Sequence, residues 1–408
     1  MNTENPSILV LAPDTQAPPP SRFILLARAL GAAGFPVTIA LSNPESLREE
    51  GLAVTTNDPR TLGGLLKRHR VVISNGGAYG VRDMARGTFF QVFDVAEFGF
   101  GQLSRMSDEQ SARLPLMADA ADLLLCASDQ QADFWLGAAT ALGRFAEATG
   151  GDLPLRPPGI VLPMGHDGSK PPRATGHLAE AFPELRSRDA LMVWHAGYDE
   201  FLDPVGTVHA VRHAVGENPA IRLIFLPPLT DSPAEHAHHA RALAAARETG
   251  LLGEKVFFLS IDKPLTEQER TALLCEVDAC LMFTTDAPGT RLWSASPFHE
   301  AIHARLPVGC SHGSPVELPV AAHKIGVLAR PADRAHMAAQ VLELTDPGKR
   351  NRMIVNLDRI HPEFALAHLA RPLFEHLMNL GDEPARAEKT PQSGLGRAIH
   401  RTVEKFFG

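Results

Sequence analysis

The chain has 408 residues, of which 44% are hydrophobic and 21% are charged. This length suits two domains better than one hydrophobic core, and the composition excludes wholesale disorder. The formal net charge is −8, from 39 basic and 47 acidic side chains. Nucleic-acid-binding proteins normally carry a basic excess, so we predict that no nucleic acid is a partner.

The N-terminal sequence and the cysteines indicate a cytoplasmic protein. The opening MNTENPSILVLAP has no basic segment and only a short apolar run, which predicts a first strand rather than a signal peptide. No apolar run approaches the roughly 18 residues that a membrane-spanning helix requires. The spacings of Cys126, Cys275, Cys280 and Cys310 match no zinc or redox motif, so we expect buried, reduced thiols.

In chain order, short apolar runs alternate with longer amphipathic stretches through the first half. A helix is predicted over Arg22–Ala33, whose apolar residues share one stripe, and Gly34 is its expected stop. The predicted strands are Ser7–Ala12, Val37–Leu41, Val71–Ser74, Phe89–Phe93, Asp122–Ala127 and Gly159–Pro163. Continuous apolar strands alternating with helices predict a parallel sheet that is covered on both faces.

Residues 166–176, HDGSKPPRATG, are polar and rich in proline and glycine, which is typical of a linker. The alternation restarts after them, with a helix over Pro233–Thr249. The predicted strands are Ala190–His195, Ile221–Leu226, Lys255–Ser260, Asp278–Phe283 and Pro307–Cys310. We therefore predict an α/β protein with two Rossmann-like domains, residues 1–165 and 177–381, facing across a cleft that binds ligands.

The tail, residues 382–408, differs from the rest of the chain. It begins with a polar stretch, DEPARAEKTPQS, and ends with a segment in which Leu395, Ile399, Val403 and Phe406 have helical spacing. We predict an amphipathic helix that docks on the body of the protein. The alternative is a helix that makes peripheral contact with a membrane surface.

Several common site signatures are missing from the sequence. No G-x-G-x-x-G follows the first strand and no Walker A sequence occurs, which disfavours dehydrogenases and P-loop kinases. No Asp-x-Asp pair occurs, and His236, His238 and His239 lack carboxylates at a useful spacing. We therefore predict no metal site and place these histidines on a solvated helix surface.

One short pattern suggests a serine nucleophile. Residues Gly309 to Gly313 match G-x-S-x-G around Ser311, directly after a predicted strand. A nucleophile elbow needs a helix immediately behind the serine, and Pro315 and Pro319 interrupt that stretch. A serine hydrolase therefore stays only as an alternative.

The segment of residues 298–310, FHEAIHARLPVGC, carries the strongest signal. Glu300 opens a short helix, and the strand Pro307–Cys310 follows it. This segment resembles the donor-site helix of retaining GT-B glycosyltransferases of the family 4, group 1 type, which occur in bacterial polysaccharide gene clusters and have the pattern E-A-x-A-x-G-x-P-V. A helix N-terminus stabilises phosphate charge, and a carboxylate accepts hydrogen bonds from two vicinal hydroxyls.

Five further parts of the sequence resemble the same family, and they occur in the family's order across roughly residues 7–380. They are Ala121–Ser128, Gln131–Gly137, Val161–Asp167, Val193–Tyr198, and Lys255–Ser260 followed by Asp278–Leu281. The third resembles the V-x-P-N-G-V-D turn that closes the first domain. The fourth resembles the first strand and glycine turn of the donor domain.

The resemblance implies a glycosyltransferase whose donor is a nucleoside-diphosphate sugar, with no tightly bound cofactor and no metal. Glu300 would bind the ribose, and Arg291 would stabilise the leaving phosphate. The other implied donor contacts are Ala196, Gly197, Leu259, Ser260, Ile261, Asp262, Ser296, Pro297, Phe298 and His299. The implied contacts to a saccharide acceptor are Asp14, Asn75, Gly76, Gly77 and Asp94.

The sequence also departs from the family pattern. Leu292 lies where many members carry a second glutamate, Tyr198–Leu202 is acidic and apolar where many carry a basic residue, and Arg305 replaces a small residue. A catalytically degenerate protein that binds a nucleotide, a glycan or a partner is therefore an alternative. Another enzyme on a similar scaffold, such as a sugar-nucleotide epimerase or a hydrolase, is a further one.

Overall fold

The computed structural model describes most of the chain. The described residues are 5–13, 21–47, 52–76, 89–97, 114–115, 117–118, 120–142, 159–171, 173–174, 176–228, 232–260 and 265–380. The predicted tail, residues 382–408, lies outside them.

The described strands are β1 (Ile8–Leu11), β2 (Val37–Leu41), β3 (Ala53–Thr56), β4 (Val71–Ser74), β5 (Phe90–Asp94), β6 (Leu123–Cys126), β7 (Gly159–Val161), β8 (Ala190–Trp194), β9 (Ile221–Phe225), β10 (Val256–Phe258), β11 (Ala279–Met282), β12 (Val308–Ser311) and β13 (Gly326–Ala329). The described helices are α1 (Ser21–Ala32), α2 (Pro59–Arg68), α3 (Asp129–Ala141), α4 (His177–Ala181), α5 (Pro204–Glu217), α6 (Pro233–Glu248), α7 (Glu267–Leu274), α8 (Ser296–His303), α9 (Glu317–His323), α10 (Arg334–Thr345), α11 (Pro347–Ile360), α12 (Leu366–Leu369) and α13 (Arg371–Met378).

The chain divides into two compact units. The first unit holds the described residues of Met1–Gly99, Leu103–Met164 and Leu366–Gly408, and the second holds those of Gly165–Ala365. Each unit contains one parallel sheet. The predicted α/β class with two parallel-sheet domains is therefore confirmed.

The first unit has a seven-stranded sheet in the order β3-β2-β1-β4-β5-β6-β7. Strands β1, β4 and β6 are fully buried, as expected for a parallel sheet with both faces covered. Helix α1 packs on β1 and β2 because its apolar stripe, including Leu26 and Leu30, is buried against them. Asp58 caps α2 by accepting hydrogen bonds from the backbone of Arg60 and Thr61.

The last described helices belong to the first unit. Leu366, Ala370, Leu373 and Leu377 are buried in its core, and α12 packs against α1. This differs from the expected run of residues 177–381 as one domain. These apolar residues are three or four positions apart and form one helix face. The domain assignment differs because this face is buried in the core of the first unit and not in that of the second.

The second unit has a six-stranded sheet in the order β10-β9-β8-β11-β12-β13. This is the 3-2-1-4-5-6 order of a doubly wound fold, so the strand order reverses between β8 and β11. Asp203 caps α5 through a hydrogen bond from the Gly206 N–H, and Pro204 starts that helix. The predicted linker, residues 166–176, contributes its described residues to this unit.

The predicted state of the cysteines is confirmed for three of the four. Cys126, Cys280 and Cys310 are buried and free, whereas Cys275 is free and half-buried. Burial raises the pKa of Cys126 to about 12 and raises the pKa values of Cys280 and Cys310 strongly. These thiols are therefore protonated and unreactive at neutral pH.

Among the described residues, no helix combines the length and apolar character needed to cross a bilayer.

Candidate functional site

The candidate site lies at the carboxyl ends of β8 and β11, where the strand order of the second unit reverses. In open parallel sheets this switch point leaves a crevice between two strands whose connections run to opposite faces, and ligands bind there. Trp194, the last residue of β8, is level with Leu281 of β11. His195 follows β8 directly and is 2% exposed.

A glycine turn continues from β8. Gly197 has φ of 89°, a left-handed conformation that glycine adopts without strain, and its carbonyl accepts a hydrogen bond from Trp194 Nε1 at 2.9 Å. The Tyr198 hydroxyl donates to the Leu226 carbonyl at 2.7 Å. These two hydrogen bonds hold the Ala196–Gly197 turn in place at the carboxyl end of β8. The diphosphate of the donor is predicted to bind at this turn.

Glu300 is the best-anchored polar group of the site. His195 Nε2 lies 2.9 Å from its Oε2. Arg270, on α7, donates from Nε to Oε2 at 3.3 Å and from Nη2 to Oε1 at 3.2 Å. The side chain of Glu300 is 16% exposed.

Charge keeps Glu300 ionised. Burial raises the pKa of this carboxyl, but His195 and Arg270 outweigh burial and lower it to about 2. A carboxylate offers about four acceptor positions, and these three hydrogen bonds leave one of them on Oε1. Glu300 is therefore a negative hydrogen-bond acceptor at neutral pH, held in one orientation beside the switch point.

The sequence pattern indicates Glu300 but not its two partners. His195 could have been suspected because it directly follows a buried strand at the expected switch point. Arg270 carries no such signal. Thr266 and Glu269 form a capping box that marks the start of α7, but a capping box does not show what the next residue touches.

The N-terminus of α8 holds the remaining predicted phosphate contacts. Ser296 is half-buried, whereas Pro297, Phe298 and His299 are buried. The helix lacks a side-chain cap, because the residue before Ser296 is an alanine in the left-handed region. No side chain caps the Ser296 N–H, Pro297 has no N–H, and the Phe298 N–H donates to the Ala295 carbonyl at 2.9 Å. The positive end of the helix dipole at Ser296 still favours an anion there.

The other predicted donor contacts differ in their exposure, and two of them lie outside the described residues. Arg291 lies in the 3-10 turn Pro288–Leu292, is exposed, and makes no ion pair within the described part of the chain. Leu259 is buried directly after β10, and Ser260 beside it is exposed. Ile261 and Asp262 lie outside the described residues.

The predicted acceptor residues belong to the first unit. Asn75 is half-buried and Gly76 is buried, both directly after β4. Asp94 is 4% exposed, and its Oδ2 lies 2.7 Å from Arg22 Nε. The Asp94 carboxylate is therefore bonded inside the unit rather than open to an acceptor. Asp14 and Gly77 lie outside the described residues.

Ser311 is a structural residue. Its side chain is fully buried, and its Oγ accepts a hydrogen bond from the Thr284 N–H and donates one to the Thr284 carbonyl. Both contacts join the ends of β11 and β12. A serine nucleophile needs an exposed hydroxyl beside a base, so the G-x-S-x-G match does not mark a hydrolase site.

The histidines on α6 are only partly on a solvated surface. His236 is exposed, but His238 is 7% exposed and its Nδ1 lies 3.1 Å from the Tyr198 carbonyl. The expectation of a solvated face is therefore wrong for His238. His238 packs against Tyr198, directly after the Ala196–Gly197 turn.

Three other histidines cluster in the second unit. The imidazole nitrogens of His166, His303 and His361 lie within 4.8 Å of one another. His166 Nδ1 accepts from the Gly168 N–H at 3.0 Å, and its Nε2 donates to the His361 carbonyl at 3.0 Å. Both nitrogens of His166 are thus used by the backbone, so the cluster does not present three ligand atoms to a metal.

We expect the His166 cluster to make the protein acid-sensitive. Burial, then His361 and His303, lower the pKa of His166 to about 3, from 6.5. Below pH 6.5 the unfolded chain binds a proton at His166 that the folded chain excludes, so the free energy of unfolding falls with pH. The expected loss is about 2 kcal/mol between pH 6.5 and 5. Urea titrations at both pH values measure it.

The matched variants are His166→Asn and His177→Asn, since His177 is an exposed histidine of the same unit. His166→Asn should be less stable than wild type at pH 7 and lose less stability on acidification. His177→Asn should follow the wild-type profile. If His166→Asn and wild type lose the same free energy between the two pH values, the assignment to His166 is wrong.

Comparison with known proteins shows the fold. No family model matches the sequence, and no curated protein matches it. Among solved structures, HepE from Anabaena in complex with UDP and glucose is 13% identical, with a TM-score of 0.63 and coverage of 92% of this chain and 100% of that one. Sucrose-phosphate synthase from Thermosynechococcus elongatus is 15% identical, with a TM-score of 0.60 and coverage of 91% and 99%.

WaaG, a glycosyltransferase involved in lipopolysaccharide biosynthesis, is 13% identical, with a TM-score of 0.58 and coverage of 91% of this chain and 100% of that one. These structures are similar over nearly the whole chain and share the GT-B fold. At such low identity the likeness shows the fold alone.

Proposed function

We propose that this chain, which has the GT-B fold, is a glycosyltransferase that moves a sugar from a nucleoside-diphosphate sugar to a saccharide acceptor. The observation that carries the proposal is the ionised Glu300 carboxylate, held by His195 and Arg270 at the switch point of the second unit. A fixed carboxylate with one free acceptor position, beside a helix start without a side-chain cap, suits a ribose hydroxyl of a nucleoside diphosphate.

The proposed roles follow the order of groups along the donor. One ribose hydroxyl donates to the acceptor position left on Glu300 Oε1, and the diphosphate lies against the Ala196–Gly197 turn and the first residues of α8. The base lies against the residues that follow β10, beginning with Leu259. Arg291, which is exposed and makes no ion pair within the described residues, supplies positive charge as the diphosphate leaves.

The proposed reaction retains the anomeric configuration and needs no metal. Leu292 cannot act as a nucleophile, so we propose that the leaving diphosphate accepts the proton of the incoming hydroxyl. The charge that develops on the diphosphate is then stabilised by Arg291 and by backbone N–H groups. The sequence also lacks the Asp-x-Asp pair through which many sugar-nucleotide enzymes hold a divalent metal.

The solved neighbours support the substrate class. The HepE structures contain UDP, UDP-glucose, or UDP with glucose. WaaG is described as acting in lipopolysaccharide biosynthesis. From these we propose a nucleoside-diphosphate hexose as donor and a cell-surface saccharide as acceptor, which the first unit would bind.

A second candidate is a non-catalytic nucleotide-binding protein on the same fold. It is favoured by the apolar Leu292 and by the hydrogen bonds that already engage Glu300. Such a protein would bind a nucleoside diphosphate without transferring a sugar.

Thermal unfolding with UDP, GDP and ADP, each alone and as its glucose or mannose conjugate, tests the proposal. A ligand that binds only the folded state raises the melting temperature. We expect one nucleotide to stabilise the protein, and its sugar conjugate to release nucleoside diphosphate when glycan acceptors are added. Stabilisation without release favours the second candidate, and no stabilisation by any member of the panel rejects both.

A further inference from the structure

A histidine and a glutamate form a close pair directly after β12. His312 Nδ1 lies 2.7 Å from Glu317 Oε1, and Glu317 Oε2 accepts a hydrogen bond from the Gly313 N–H at 2.6 Å. Glu317 is the first residue of α9, so the loop between β12 and α9 is closed by its side chain. The carboxylate is therefore held by a backbone group and cannot rotate away from the imidazole.

This pair fixes the state of the imidazole. Hydrogen bonds from His312 and Gly313 lower the pKa of Glu317, so its carboxylate is ionised at neutral pH and accepts the Nδ1 proton of His312. A carboxylate on one ring nitrogen sets the orientation and the tautomer of the ring. Nε2 of His312 is the nitrogen left for a ligand.

Nothing in the described part of the chain uses that nitrogen. The side chain of His312 is 45% exposed, and no described protein group bonds to Nε2. The other histidine of the same sheet edge, His195, is 2% exposed and bonded to Glu300. Of these two imidazoles, only that of His312 is both oriented by a carboxylate and open to solvent.

The strand register places His312 on the candidate donor edge. Trp194 pairs with Leu281, and Met282 pairs with Cys310, so His195 and Cys310 are level across β8, β11 and β12. His312 lies two residues beyond Cys310. With strands 4.8 Å apart and a rise of 3.3 Å per residue, the Cα atoms of His195 and His312 are about 12 Å apart. A nucleoside-diphosphate sugar bound at Glu300 spans that distance.

The negative charge of Glu317 determines which group of the donor can bind at His312 Nε2. Glu317 adds a negative charge behind the ring, which disfavours a doubly charged diphosphate at Nε2. A neutral sugar hydroxyl is not repelled, since it donates to Nε2 when the imidazole is neutral and accepts from it when the imidazole is protonated. The pair therefore suits the sugar end of the donor better than its phosphates.

We propose that His312 Nε2 hydrogen-bonds a hydroxyl of the transferred sugar and that Glu317 positions the imidazole for this contact. The inference rests on the proposed function, because it needs a nucleoside-diphosphate sugar at the Glu300 site. His312 is then a specificity-determining residue, and Glu317 is a positioning residue that acts through it.

The test measures the effect of a substitution on nucleotide binding and on sugar transfer separately. For the donor that the nucleotide panel selects, calorimetry measures the affinity for the nucleoside diphosphate alone, and steady-state kinetics measure kcat and KM for its sugar conjugate. His312→Ala should keep the nucleoside diphosphate affinity within twofold and lower kcat/KM for transfer by about tenfold, since one hydrogen bond to the sugar is lost. His312→Gln, whose amide reaches the Nε2 position, should recover part of that loss.

A double-mutant cycle with His312 tests whether Glu317 positions the imidazole. The substitution Glu317→Gln should lower kcat/KM in wild type and have no further effect in the His312→Ala background, because both changes remove the same contact. His177→Ala, at an exposed histidine of the same unit, is the matched control and should behave as wild type.

Two results overturn the inference in distinguishable ways. If His312→Ala transfers sugar as fast as wild type, His312 does not contact the sugar, while the proposed function stands. If wild type binds no nucleoside diphosphate of the panel, the proposed function fails and this inference fails with it. A loss of nucleoside diphosphate affinity in His312→Ala that accounts for the whole kinetic loss also rejects the sugar contact.

Discussion

Glu300→Gln is expected to weaken nucleoside diphosphate binding by about 100-fold. A hydrogen bond to a charged group contributes about 1.5–3 kcal/mol, and the amide loses the charge that strengthens the contact to the ribose hydroxyl. A loss near 2.8 kcal/mol corresponds to 100-fold in affinity. The substitution also turns one acceptor atom into a donor that faces His195 or Arg270. Calorimetric titration of the variant with the nucleotide bound by wild type measures the effect.

The control for this experiment is Glu184→Gln, which makes the same chemical change at an exposed glutamate of the second unit. It should bind the nucleotide as wild type does. Near-ultraviolet circular dichroism of Glu300→Gln shows whether the fold is kept. A folded Glu300→Gln that retains wild-type affinity would show that Glu300 does not bind the ribose.

Arg22→Met should destabilise the protein by about 3–5 kcal/mol. Arg22 is 3% exposed; besides its ion pair with Asp94, it donates to the carbonyls of Pro163 at 2.9 Å and Leu162 at 2.8 Å. Methionine fills similar volume but leaves a buried carboxylate without its cation, and breaking one side of a buried pair costs this much. Urea unfolding followed by circular dichroism measures the change in the free energy of unfolding.

The double variant Arg22→Met with Asp94→Leu provides the internal control. Removing the carboxylate as well should recover part of the lost stability, since no unpaired charge then remains buried. A loss below 1 kcal/mol in Arg22→Met would contradict the structural role given to this pair. Sugar transfer by a folded double variant would further show that Asp94 is not an acceptor contact.

The sequence predicted the centres of most strands and missed two at the sheet edges. Val37–Leu41 and Val71–Ser74 are found with the predicted bounds. The missed strands, β3 and β13, are each at the end of a sheet and include half-buried residues. Edge strands are short and only partly covered, so their residues need not form the continuous apolar run that identifies a central parallel strand.

The candidate site was predictable only where a local pattern exists. Glu300 follows from its own helix, because the glutamate and the strand after it are close in sequence. Its partners Arg270 and His195 are 30 and 105 residues away, so their meeting depends on strand order. The ion pair of Asp94 is a second example, since its partner Arg22 is 72 residues away and no local pattern indicates that they meet.

A crystal structure of the protein with the nucleoside diphosphate selected by the panel tests the central claim most directly. We expect a ribose hydroxyl oxygen at hydrogen-bond distance, about 2.6–3.0 Å, from Glu300 Oε1, with the diphosphate at the start of α8. A nucleotide bound at any other edge of either sheet, or one whose ribose makes no contact with Glu300, would contradict it.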